Sequence, residues 1–227
     1  MPLRLAPTSL NRYTFRMSTR VPDGEKLADT IVHILGIASG LVGAAILLGW
    51  AVTSLPPTTT LALVIYCAGL LAMLGCSGAY HMIQAPAWKH TLRRLDHAAI
   101  FLKIAGTYTP FALVKLGGTH GLSLFVAVWA VALLGAIAKL TLAAQWDRLA
   151  VAVYLALGWS GVATLQPLAA VVDPASLVLL GVGGLIYSLG VIFYLWQSLP
   201  YHNAIWHVFV LLGTACHFAA VSIAVTH

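Results

Sequence analysis

Seven apolar stretches, each close to the ~20 residues that a helix needs to cross a hydrocarbon core, constrain this 227-residue chain more than any other feature. They run over about 30–51, 61–82, 97–115, 121–141, 148–171, 176–197 and 204–225. The breaks between them carry turn chemistry: Leu55-Pro56-Pro57, Gln84-Ala85-Pro86, Gly117-Gly118, Asp173-Pro174 and Leu199-Pro200. Hydrocarbon offers no partner to backbone N–H and C=O groups, so a spanning segment is a helix or a strand of a closed barrel. The period-two alternation of barrel strands is absent. The expected fold is therefore an all-α integral membrane protein, a bundle of seven transmembrane helices.

Composition agrees. Hydrophobic residues make up 60% of the chain and charged residues 8%, against roughly 25% charged in a soluble domain. That balance excludes a soluble globular domain, a disordered chain and a nucleic-acid-binding module. The excess of 12 Lys+Arg over 6 Asp+Glu then reads as an orientation signal. Basic residues sit before the first stretch (Arg4, Arg12, Arg16, Arg20, Lys26), after the second (Lys89, Arg93, Arg94) and around the break after the fourth (Lys139, Arg148), whereas the other side shows only Lys115. The rule that positive loops stay inside puts the N-terminus in the cytoplasm and the C-terminus outside. Residues 1–27 form a basic cytoplasmic segment with no apolar run of a secretory signal, and residues 28–227 the transmembrane domain. An organellar transit peptide is the less common source of such an Arg-rich leader. Cys67, Cys76 and Cys216 all lie in apolar stretches and read as packing residues, not a disulfide framework. Glycines inside spans (Gly181, Gly183, Gly184, Gly190) permit close helix approach.

Ionisable groups within spans are expensive and usually functional, and here they gather at one depth. Glu25, Asp29 and His33 enter the first span, Ser77 and His81 end the second, Asp96 and His97 begin the third, and His202 and His207 begin the seventh. Every one falls at the cytoplasmic end in the orientation above. Ser77 and His81 share a helix face, since four residues turn ~400°; Glu25, Asp29 and His33 form a similar row. His81 and His207 lie where neutral imidazoles can meet a cation, and His is a usual zinc ligand. Asp96 is read either as part of that site or as the N-cap of its helix. A lone His33 reads more simply as a buried imidazole bonding a neighbour.

The motifs Ser77-Gly-Ala-Tyr-His81, Arg94-Leu-Asp96-His97, Ile104-Ala-Gly-Thr-Tyr-Thr-Pro110 and Ala204-Ile-Trp-His207-Val-Phe-Val resemble those of the hemolysin III family, the bacterial branch of the progestin and adiponectin receptor superfamily. The resemblance extends from Glu25 to the end of the seventh span. It implies seven helices, a bacterial inner membrane, and a zinc ion near the cytoplasmic helix ends. Its ligands would be His81 and two histidines of an H-x3-H motif in the last span, the second being His207. Ser77 and Asp96 would flank the metal-bound water. The first motif position is here Asn203, with an imidazole one place earlier at His202. One residue rotates a side chain ~100° on a regular helix, but Pro200 allows residue 202 to precede the first turn, so His202 is the expected third ligand. Cys76 is off the His81 face, and His217, ~15 Å beyond His207, is too deep to share the ion and suits a structural hydrogen bond. Lys103, on the Asp96 side of its helix, is expected to pair with Asp96 or Asp29.

Related alkaline ceramidases hydrolyse a lipid amide at such a site, which implies a zinc-dependent hydrolase of a lipid amide or ester, with Asp96 as proton acceptor and donor and Ser77 stabilising the oxyanion. The partners would be membrane lipids and a lipid substrate entering from the bilayer. Three other readings stay open at this point: a sensor or regulator of membrane state with structural zinc, a pore-forming cytolysin, and a metal-free bundle in which His81, His207 and Asp96 satisfy one another.

Overall fold

A computed structural model describes residues 23–141 and 147–226, with side chains described for all of these except 147 and 148. The basic group Arg4, Arg12, Arg16 and Arg20, hence most of the 1–27 segment, lies outside the described residues, as does the Arg148 side chain. Among the described residues the secondary structure is wholly helical, and seven segments are long and apolar enough to span a membrane. They are built from α1 (Asp23–Ser54), α2 (Pro57–Met82), α3 (Pro86–Pro110, continued by a π-helical stretch Phe111–Leu116), α4 (Gly118–Thr141), α5 (Asp147–Trp159, a 3₁₀ turn Ser160–Thr164, then α6, Leu165–Ala169), α7 (Pro174–Leu195) and α8 (His202–Thr226). The outward surface is apolar: Val52 is 72% and Leu134 69% exposed, which suits lipid and not water.

The helix starts follow from local chemistry. Proline, whose missing N–H costs nothing in a first turn, opens α2, α3 and α7, and the Asp173 carboxylate caps α7 by accepting the Ala175 N–H at 2.7 Å. Helix α3 starts at Pro86, well before its apolar stretch, because Pro86 sets the first turn and the polar segment up to Arg94 continues the helix. Asp96 is thus the eleventh residue of α3, not its N-cap.

Helical regularity breaks at the opposite end of the bundle from the helix starts of α1, α3 and α8. Pro110 supplies no N–H, and the third span leaves it as a π-helical stretch that ends at Gly117 and Gly118, both with left-handed φ of 58° and 53°. The fifth span is interrupted at Ser160–Thr164, where the Tyr108 hydroxyl donates to the Gly158 carbonyl (2.8 Å) and accepts the Gly161 N–H (2.7 Å). Backbone groups released by the break are therefore satisfied from a neighbouring helix, as hydrocarbon requires.

Helix neighbours run α1–α2–α3–α4 and α7–α8, with α8 closing back onto α1. One core joins Ala51 of α1, Leu63, Tyr66 and Leu70 of α2, and Val221 of α8; a second joins Phe101 and Ala105 of α3 to Ala132 of α4 and Leu157 of α5. Between α2 and α3 the backbones nearly touch: a Cβ on Gly69 would stand 2.7 Å from the Leu102 carbonyl oxygen. Gly69→Ala is expected to destabilise the bundle by about 1–3 kcal/mol and lower its thermal unfolding midpoint in detergent. Gly49→Ala, where an added Cβ meets nothing within 4 Å, should leave the midpoint unchanged or raise it. Equal effects of the two would remove the close approach as the reason for glycine.

Candidate metal centre

One turn of α1 carries Asp29 and His33. The His33 Nδ1–H donates to the Asp29 carbonyl oxygen at 2.7 Å, which leaves Nε2 toward the Ser77 hydroxyl of α2, 3.3 Å away. The Asp29 carboxylate spans two further helices: Oδ2 is 2.7 Å from His81 Nδ1 of α2, and Oδ1 is 2.7 Å from His207 Nδ1 of α8. The three imidazoles cluster around it, His33 stacked on His81 and His207 edge-on to both, with ring centroids 4.3 to 4.8 Å apart. One ligand atom from each of Asp29, His33, His81 and His207 lies within 4.8 Å of every other. His33 and His207 are buried, and Asp29 and His81 half-buried.

One turn earlier, Glu25 makes a related link. Its carboxylate accepts the backbone N–H of Tyr201, a residue with a left-handed φ of 62° just before α8. This contact anchors the start of α8 to the start of α1 and sets the depth at which His207 meets Asp29.

Three imidazole nitrogens and a carboxylate oxygen are the donor set of a borderline divalent cation such as zinc. The residues present therefore fit a metal. Thiolate plays no part, since Cys76 is a free cysteine outside this group. Beside the group, the Ser77 hydroxyl donates to the carboxylate of Asp96, which is 8% exposed. Ser77, His81, Asp96 and His207 all face one cavity of about 590 Å³ that continues into the bundle interior.

The structure thus brings His81 and His207 together and sets Asp96 and Ser77 next to them. His202 lies outside the four-residue group: it is the first residue of α8, about 7.5 Å of helix rise before His207 and turned to another face. Its Nδ1 is buried without a hydrogen-bond partner. The two donors that sequence reasoning did not assign, Asp29 and His33, come from α1; the Glu25–Asp29–His33 row was their visible signal. Lys103 pairs with neither Asp96 nor Asp29. Its amine meets His217 and the Tyr187 ring instead, because α7 and α8 cover that face of α3. His217 also bonds the Leu180 carbonyl, in keeping with a role away from the metal group.

The profile of the family described as haemolysin-III related matches residues 25–218. Relatives include the hemolysin-3 homolog of Bacillus subtilis (strain 168), 37% identical over 197 residues, which are 87% of this chain and 92% of that protein. Hemolysin-3 of Bacillus cereus is 34% identical over 87% of this chain and 90% of its own length. The monocyte to macrophage differentiation factor of Homo sapiens is 26% identical over 93% of this chain and 92% of its own. No solved structure matches the chain significantly.

The geometry predicts about one divalent cation per chain in protein purified without chelator, read by elemental analysis. Asp29→Ala, His81→Ala and His207→Ala should each lower metal affinity by roughly tenfold or more, whereas His202→Ala should leave occupancy unchanged. Retention of metal in both His81→Ala and His207→Ala would remove the centre.

Proposed function

The chain belongs to the haemolysin III family, and from that premise we propose that His33, His81 and His207 hold a zinc ion, with the Asp29 carboxylate bonded to the last two imidazoles, near the cytoplasmic face of the bacterial inner membrane, at a site that hydrolyses a lipid amide or ester. The observation that carries this reading is the convergence of the three imidazoles of the metal group and the Asp96–Ser77 pair on one end of a deep, lipid-depth cavity. The excess of basic residues at the same end supports the cytoplasmic placement.

Zinc, when bound, supplies Lewis acidity and a water that is nucleophilic at neutral pH. The remaining work falls to side chains of this chain. The Asp96 carboxylate accepts a proton from the attacking water and delivers it to the departing nitrogen or oxygen. Taking that proton releases the Ser77 hydroxyl, which donates to the oxygen of the acyl carbonyl as charge develops there. Burial of Asp96 among α2 and α3 excludes competing water, and the apolar cavity wall, with Ile104, Phe111 and Leu168, accommodates the acyl chain.

A second reading, a regulator or sensor with structural zinc, is favoured by one observation. The Asp29 carboxylate lies within reach of the same ion, and as a fourth protein ligand it would close the shell, which is the pattern of structural zinc. The two readings separate on a single variant. In vesicles of ceramide mixed with phospholipid, the purified protein should release free fatty acid, and Asp96→Asn should slow release by about 10²- to 10⁴-fold with its metal retained. Absence of release from fully metallated wild-type protein would leave the regulator.

A further inference from the structure

Away from the metal group, a second polar cluster is buried near the midpoints of three spans. Lys103 is the eighteenth residue of the 31-residue third span and only 4% exposed. Its Nζ lies 3.3 Å from His217 Nδ1 on α8 and 4.4 Å from the centroid of the Tyr187 ring on α7. His217 Nε2 stands 3.3 Å from the Leu180 carbonyl oxygen, which can only accept. Nε2 therefore carries the ring proton, and Nδ1 presents a lone pair to the lysine. The Tyr187 hydroxyl is held in turn by the Thr214 hydroxyl at 2.5 Å. Gly183 makes room for the imidazole, since a Cβ there would stand 2.4 Å from His217 Cδ2. Each side chain around the amine is thus fixed by another.

These contacts hold the amine without neutralising it. An ammonium has three N–H donors; a neutral imidazole takes one, and the aromatic face attracts the cation. No carboxylate lies within ion-pair distance of Lys103 among the described residues. Asp96 is seven residues away, about 10 Å down α3, bonded to Ser77. A buried ammonium with no anion beside it is costly. Lys103, Tyr187 and His217 all line the 590 Å³ cavity, whose wall around them includes the apolar Ile104, Leu177 and Leu180.

What completes this arrangement is an anion on an apolar body that reaches the bilayer midplane. Inorganic anions do not partition there, and a phosphate headgroup stays at the interface; a carboxylate on an alkyl chain meets both demands. We propose that the middle of the cavity, at the bilayer midplane, is a binding subsite for the carboxylate of a long-chain lipid acid, paired with Lys103 and positioned by His217 and Tyr187. The subsite does not depend on hydrolysis at the metal end, so either can fail without the other.

The test uses the full chain in nanodiscs with palmitate, hexadecanol and methyl palmitate as probes, measured by equilibrium binding. Wild-type protein should prefer palmitate to both neutral analogues. Lys103→Met should weaken palmitate by roughly tenfold or more and bring it level with the neutral analogues, and His81→Ala should leave palmitate binding intact. Hexadecanol binding as tightly as palmitate overturns the proposal. So does loss of palmitate in His81→Ala with retention in Lys103→Met, which would put the carboxylate at the metal end. A second measurement needs no variant: isotopically labelled palmitate and lysine should show a through-space coupling between the carboxyl carbon and one lysine Nζ by solid-state NMR. Its absence in a saturated sample overturns the subsite equally.

Discussion

A carboxylate inside a membrane bundle is tolerable only when donors surround it, and Asp29 is where this bundle meets that condition. Both of its oxygens are taken, one by His81 of α2 and the other by His207 of α8. The same residue that needs the imidazoles thereby ties the first helix to the second and the last. Glu25 repeats the link one turn earlier through the Tyr201 amide. Without these contacts α1 would meet α8 largely through apolar surface and α2 through little more than His33 with Ser77 and Thr60 with the Ala51 carbonyl, and in lipid apolar surface has no preference for protein over acyl chains. The polar group is thus both the candidate site and the reason the helix ring closes in one register.

Helical order is distributed to match. The ends of α1, α2, α3 and α8 that carry donors are regular, so each side chain has a defined azimuth and depth. The π-helical stretch after Pro110 and the break at Ser160–Thr164 both fall at the other end. There the Tyr108 hydroxyl absorbs the loose backbone groups. The close contact of α2 with α3 at Gly69 does the complementary work near the middle. It brings the two helices near enough for Ser77 of one to bond Asp96 of the other.

Hydropathy made the seven spans and the depth of the polar residues legible, because both depend on composition along one helix. It could not show partners across helices. Lys103 illustrates the difference. Its position two turns from Asp96 suggests an ion pair along α3, but seven residues of rise keep the two apart, and the nearest groups turn out to be His217 and Tyr187 from helices distant in sequence. The α3 start was equally hidden, since the helix continues through polar residues that a hydropathy window discards; a cap consequently stood beside the metal site as a reading of Asp96. His33 looked solitary because its companions, His81 and His207, arrive from α2 and α8.

The departure at Asn203 can be weighed in the same terms. A second imidazole on α8, one turn before His207, would add a donor from a helix that already contributes one. In this chain the third imidazole is His33, and it comes with the Asp29 carboxylate on the same turn of α1. The number of nitrogen donors therefore stays at three without residue 203, and the donors are spread over three helices instead of two. That spread has a mechanical consequence. A cation held there would fasten α1, α2 and α8 together, adding to the closure that the Asp29 contacts already give. The residue that departs from the motif still borders the cavity, where an amide can hydrogen-bond a polar group that a metal-ligating imidazole could not.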